Sequence, residues 1–278
     1  MSQDTPRPGR HTGGRASRQW LAVPVAVLFA LPLLYLLSGS LRRTGLPPPR
    51  SPELLPWPLA PENYVLAAET VDLVRYGLNS LFVVAIAVPL SILVASWAAF
   101  AVARLRGRLA AVVVTASLVA LMIPATALLV GRFTLFRVVG LIDTPWPLIA
   151  PALIGTTPFY VLLYYWSFRR LPTELFDAAR LEGVSPFTTW RRVAMPLVGP
   201  VTVAVAVLAG VTTWSNFLDP LIYLFDERNF TLPLGLRSLA ELDRTNFPLF
   251  LARAVVATVP VVVAVLLVQR RFLAAPWS

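Results

Sequence analysis

Six stretches of this chain carry almost no charge over lengths that match the apolar thickness of a bilayer. They run over about 20–41, 80–103, 109–130, 147–168, 198–222 and 249–269. A helix rises about 1.5 Å per residue, so about 20 apolar residues cross the hydrocarbon core. Inside lipid a backbone N–H finds no water, and an unbroken apolar run of this length satisfies its own backbone as a helix. The expected fold class is therefore all-α, an integral membrane protein with six transmembrane helices. Composition agrees: 57% of the 278 residues are hydrophobic and 14% are charged, where a soluble domain carries about 25% charged residues. Pro24, Pro32, Pro89, Pro124, Pro151, Pro158 and Pro260 fall inside the runs. Neighbouring helices or waters can satisfy the carbonyls that such prolines free.

Residues 1–19 are rich in Gly, Pro, Arg and Ser and read as a disordered tail. A positive tail before an apolar run resembles a signal peptide. The run over 20–41 is too long for that, and no small-residue cleavage site clearly ends it, so it reads as an uncleaved first span. Residues 20–278 then form one six-span domain.

Arginine sets the expected orientation. With the N-terminus inside, the inner segments are the tail, 104–108, 169–197 and the chain end. These hold more than half of the 24 basic residues, and among the acids only Asp4, Glu174, Asp177 and Glu182. Basic residues favour the cytoplasmic side of short loops, so both termini are expected in the cytoplasm. Arg42 and Arg43 run locally against the trend.

The same composition excludes much chemistry. There is no cysteine, so thiolate catalysis, disulfides and Cys-based metal sites are out. His11 is the sole histidine and lies in the tail, which excludes multi-histidine metal sites. Every basic residue is Arg, so the Lys of a P-loop is missing and the chain cannot hydrolyse ATP by that route. The arginines lie beside the spans and form no contiguous basic run, which argues against nucleic acid. No enzyme activity is expected.

One polar segment stands out, LPTELFDAARLEGVSPFTTWRRVAMPLVGP over 171–200. Glu174 and Asp177 suit the first turns of a helix, where acids complement the dipole. Leu175, Ala178, Ala179 and Glu182 share a face by their spacing. Gly183 ends that helix, because glycine enters the left-handed region at little cost. Ser185 and Pro186 open a second helix as N-cap and first residue. The segment reads as two short helices around a Gly turn. On pattern alone it is either a docking surface or an interfacial helix resting on lipid headgroups, with Arg191 and Arg192 at phosphates.

The series Asp177-Ala178-Ala179, then Gly183, then Pro196, resembles the EAA loop of ABC importer permeases. Asp stands for the usual Glu, and Met195 for the Leu before the proline. "RYGLNSLFV", "GLIDTPWPLIAP", "WSNFLDPLIYL" and "TLPLGLRSL" extend the likeness to the carbohydrate-uptake, maltose-permease-like branch. The chain departs from that branch in ending at "QRRFLAAPWS", without a Gly-rich tail. The resemblance implies one permease subunit of a binding-protein-dependent importer in a bacterial plasma membrane. It implies a second permease subunit in a heterodimer, two cytoplasmic ATPase subunits and an extracytoplasmic substrate-binding protein. No cofactor is expected on this chain; ATP and Mg belong to the partner ATPase. By the same resemblance Asp177, Ala178, Ala179 and Gly183 form the docking motif, with Pro196 closing it, and Arg180, Glu182, Phe187 and Trp190 are further contacts. The cargo implied is a sugar or related polyol.

Asn79, Trp214, Asn216 and Asp219 lie near the ends of the second and fifth runs. They read either as contacts to substrate along the pathway or to the binding protein, or as interface anchors and helix caps. The competing functions are an ion-coupled secondary transporter or a membrane scaffold. Transporters of that kind place ionisable pairs at the midplane or show paired repeats, and neither is visible here.

Overall fold

The computed structural model describes the backbone over 14–51, 55–70, 72–105, 107–153, 158–242 and 246–274. Side chains are described over the same ranges apart from 14–23, 70, 238–242, 264 and 267–274. His11 and most of the tail read as disordered lie outside the described residues. Every regular element among those described is helical. In chain order they are α1 (Gly14–Ser40), α2 (Glu62–Thr70), α3 (Leu73–Ala103), α4 (Arg108–Met122), α5 (Leu129–Val138), α6 (Trp146–Leu153), α7 (Pro158–Arg169) and α8 (Thr173–Leu181). Then follow α9 (Pro186–Leu197), α10 (Gly199–Trp214), α11 (Leu218–Tyr223), α12 (Leu232–Leu242) and α13 (Phe247–Ala274).

The contacts divide the chain into two compact units. One comprises residues 1–67 and 243–255, the other residues 68–242 and 256–278. The first is organised by a fully buried amide. Asn63 Nδ2 donates to the carbonyls of Ser40 and Arg42 at 2.8 and 2.7 Å, and its Oδ1 accepts from Thr44 Oγ1 at 2.8 Å. The end of α1 would otherwise leave carbonyls unsatisfied; Asn63 takes up that of Ser40, the last helical residue, and that of Arg42 just beyond it.

The second unit is built around α3, the longest helix. Asp72 caps it by accepting from Arg75 N at 2.9 Å. α3 packs against α6, α7 and α10. Ala95 and Ala99 are buried there with Tyr164, Phe168, Trp190, Ala194 and Val205. Small residues let helix backbones approach in a membrane, where dispersion replaces the hydrophobic driving force. Toward the other end of α3, Val83 joins Phe136, Ile149, Tyr223 and Leu234 in a second cluster.

By length and composition, α3 can cross a bilayer as one unbroken helix. The run over 109–130 contains a break: α4 ends at Met122, Pro124 opens a 3-10 turn over Ala125–Leu128, and α5 leaves at 86°. A second 86° bend separates α9 from α10 at Val198. Proline removes a helical N–H and clashes with the preceding turn, so Pro124 and Pro200 mark both breaks.

Gly235 of α12 makes a tight contact: an added Cβ there would overlap the ring of buried Tyr76. Overpacking of this kind costs about 1–3 kcal/mol. Gly235→Ala is therefore expected to lower the thermal unfolding temperature in detergent, while Gly77→Ala, with open space around it, leaves it near wild type.

Candidate functional site

The loop over 171–200 folds as two short helices. α8 ends in a bonding pattern that requires Gly183. Its N–H donates to Arg180 O at 3.0 Å, and the next amide, Val184 N–H, reaches back to Ala179 O at 2.9 Å. This double closure satisfies the last carbonyls of the helix and needs a left-handed residue. Gly183 supplies it at φ +68°. Ser185 then caps α9: its Oγ accepts from Thr188 N at 3.3 Å, and Pro186 takes the first position. α9 passes through a π-helical turn at Trp190–Ala194 before the bend at Val198.

The two faces of α8 differ. Phe176 and Ala179 turn inward. Glu174, Asp177, Ala178, Leu181 and Glu182 are exposed. Leu181 is 91% exposed, an apolar tip on a polar helix. Asp177 and Arg180 form an exposed pair at 3.7 Å, which adds little stability. The series proposed for docking therefore divides. Asp177, Ala178, Arg180, Glu182, Gly183, Phe187 and Pro196 lie at the surface, whereas Ala179 and Trp190 are buried. Trp190 packs at 5.3 Å between ring centroids from Trp97 of α3 and at 5.4 Å from Phe187. It ties α9 to α3.

Arg104, just past the end of α3, ties α8 to the same helix. Its guanidinium lies 4.3 Å from the Phe100 ring centroid and 4.9 Å from that of Phe176. Burial and the nearby Arg180 lower its pKa, Asp177 opposes this, and an arginine stays charged regardless. α8 is thus held by its inner face while its outer face stays free.

The opposite end of α3 carries a rim of locked loops. Asp143, at φ +61°, accepts from Phe225 N and Asp226 N at 3.0 Å, and from Asn229 Nδ2. Burial raises its pKa, but these donors outweigh burial and hold it below the usual carboxylate value. Asn79 Nδ2 donates to Arg228 O and Phe230 O at 2.9 and 3.0 Å. Trp214 Nε1 donates to Ala257 O at 3.0 Å. Both side chains are occupied in fixing backbone.

Asp226 is bonded by the Arg228 side chain at 2.6 Å and by its N–H at 2.9 Å, which hold its pKa down at about 2. A depressed carboxylate stabilises the fold above its ordinary pKa and loses that contribution as pH falls through the folded value. Amide exchange over 225–231, corrected for intrinsic rates, is therefore expected to stay flat above about pH 5. Opening is expected only as pH falls through about 4 toward about 2. Asp226→Asn should remove that acid step.

Asn216 and Asp219 are arranged differently. Asn216 Nδ2 donates to Asp219 Oδ2 at 2.9 Å, and Asp219 pairs with Arg132 of α5 at 3.4 Å. They line a cavity of about 580 Å³ with Tyr160 and Thr212, whose hydroxyls lie 3.2 Å apart. Sequence reasoning missed Arg132, which falls just beyond the run over 109–130. Its signal was its isolation, with no other charged residue between Arg108 and Arg137. Among the described residues no cluster of acids or histidines could hold a metal.

Comparison with known proteins agrees with this architecture. The family described as "binding-protein-dependent transport system inner membrane component" matches residues 17–273. An arabinooligosaccharides transport system permease protein of Halalkalibacterium halodurans is 34% identical over 198 residues, 70% of each chain. A trehalose transport system permease protein of Mycobacterium tuberculosis is 30% identical over 268 residues, 94% of this chain and 96% of that one. Among solved structures, a bacterial ABC transporter involved in import of the acidic polysaccharide alginate has a chain of similar fold. Its TM-score is 0.72 at 21% identity, covering 96% of this chain and all of that one.

Proposed function

This chain belongs to the binding-protein-dependent transport system inner membrane component family, and on that premise we propose that it is a permease subunit of an ATP-driven sugar importer. It is a multi-pass membrane protein. It forms half of the translocation pathway, across six spans with both termini in the cytoplasm, and a second, non-identical permease subunit forms the other half. Two ATPase subunits bind ATP and Mg on the cytoplasmic side, and an extracytoplasmic binding protein delivers the sugar. The sugar class rests on the names of the relatives, which carry arabinooligosaccharides and trehalose.

The observation that carries this reading is the divided α8 helix. Its inner face is fixed to α3 through Phe176, whose ring lies 6.0 Å from that of Phe100 with the Arg104 guanidinium over it. Its outer face exposes Asp177, Ala178, Leu181 and Glu182, with Leu181 bare at the tip. An exposed apolar side chain flanked by charge fits a protein contact. A helix gripped on one side and docked on the other transmits motion of its partner to the spans.

The test is co-expression with a candidate second permease and ATPase, followed by purification. The expected result is retained ATPase whose hydrolysis rises with binding protein and sugar. A chain that inserts and pairs but retains no ATPase contradicts the reading.

A further inference from the structure

We propose that the cavity at Arg132 and Asp219 is a binding subsite, on this chain itself, for an uncharged sugar. The inference rests on the importer reading and adds to it the residues and the charge class of the cargo.

Three features of the cavity carry it. Its volume, about 580 Å³, lies in the range of small-molecule sites, whose apolar walls carry a few convergent polar groups. Here those groups are Arg132, Asp219, Asn216, Tyr160 and Thr212. A sugar hydroxyl both donates and accepts. Guanidinium only donates, carboxylate only accepts, and the amide and hydroxyls do both, so the set matches a polyhydroxy ligand.

The second feature is spare bonding capacity. Arg132 meets Asp219 at 3.4 and 3.5 Å, longer than the 2.7–2.9 Å or so of a tight charge-assisted bond. One of its nitrogens, Nη2, hydrogen-bonds the carboxylate at 3.5 Å, and Nη1 lies 3.4 Å from it. Both side chains stay partly exposed, at 24% and 17%. A pair that served only to staple α5 to α11 would close up. Ionisable groups are costly near the apolar part of a membrane protein, and those kept there mark ligand paths.

The third feature is charge. Among the described residues, Arg132 and Asp219 are the only ionic side chains lining the cavity, and they cancel. An acidic sugar would have to displace Asp219 from Arg132 and then lie beside its carboxylate. A neutral sugar bridges the two without separating charge.

The chain has no cysteine, so a single introduced thiol reports cleanly. Ala120→Cys lines the cavity, and Ser215→Cys lies outside it. Maleimide alkylation is followed in membranes holding the full assembly. The probes are lactose and trehalose as neutral disaccharides and digalacturonate as an acidic one. A neutral disaccharide is expected to slow alkylation at position 120 several-fold and at 215 not at all, with digalacturonate inert. Adding Asp219→Asn frees the Arg132 charge, and digalacturonate should then protect position 120. A misfolded protein cannot produce that gain. Arg132→Gln with Asp219→Asn keeps the shape and should abolish protection by every probe. The proposal is overturned if neither neutral probe protects, if digalacturonate protects the intact pair equally, or if Asp219→Asn leaves the preference unchanged. ATPase retained by the same membranes is measured in parallel. Its loss with protection intact would fail the importer reading and leave the sugar site standing.

Discussion

Gly183→Val is expected to cut ATPase retention and sugar uptake about fivefold to thirtyfold while the chain still inserts. Gly183 holds φ +68°, and a β-branched residue in that region costs about 1–2 kcal/mol. That energy corresponds to the fivefold to thirtyfold factor. It acts by depopulating the closed end of α8, and binding weakens by the fraction of competent conformer lost. Crowding at Cβ contributes nothing, because an added Cβ at Gly183 meets no atom within 4 Å. The substitutions should therefore rank by backbone preference: Asn, which tolerates the left-handed region, near wild type, Ala between, Val lowest. A ranking by side-chain size, with Asn as harmful as Val, would show that contact at position 183 matters and that the turn does not. ATPase bound per permease after purification gives the ranking.

Trp190→Ala is expected to be the most destabilising single change in the loop. Trp190 is 7% exposed, packs on Trp97 and Phe187, and belongs to the core cluster with Phe168, Ala194 and Val205. Truncating a buried aromatic to alanine costs about 3–5 kcal/mol in transfer and cavity terms, a large part of the stability of a typical domain. The expected outcome is a low yield of monodisperse protein and a large drop in detergent unfolding temperature. Leu197→Ala, at an exposed position of the same helix, should change neither by much. If Trp190→Ala leaves stability intact and removes only ATPase binding, Trp190 is a docking residue and the packing account is wrong.

These two residues show what the sequence makes legible. Gly183 and the Ser185-Pro186 cap act within a few residues of chain, so local conformational preference reveals them. The helical class also follows directly, because unbroken apolar runs of about 20 residues satisfy their backbone in lipid as helices. The family resemblance places Trp190 among the partner contacts, and its local pattern, an aromatic beside two arginines, suits an interface as well as a core. What fixes it is Trp97, far away in sequence on α3. Ala178 and Ala179 are adjacent and identical, yet one is exposed and one buried. Helical spacing separates them by about 100° but does not say which faces inward.

The membrane-side site divides in the same way. Asn79 and Trp214 each donate to the backbone carbonyl of a distant segment, a partner that no local pattern announces. Asn216 and Asp219 line the cavity. Arg132 escaped notice because its partner lies 87 positions along the chain and no local signal joins them. The bends at Pro124 and Val198 were equally hidden. A proline within an apolar run is compatible with a kinked span or a broken one, and packing around α3 decides between them.

The account turns on the outer face of α8 meeting an ATPase. The most direct measurement is cross-linking from Ala178→Cys in the assembled complex, using the cysteine-free chain as background. The account predicts a covalent adduct with the ATPase subunit at position 178, and none from Val138→Cys, an exposed site at the end of α5. An assembled, ATP-hydrolysing complex in which position 178 gives no adduct, or none beyond that at 138, would contradict it.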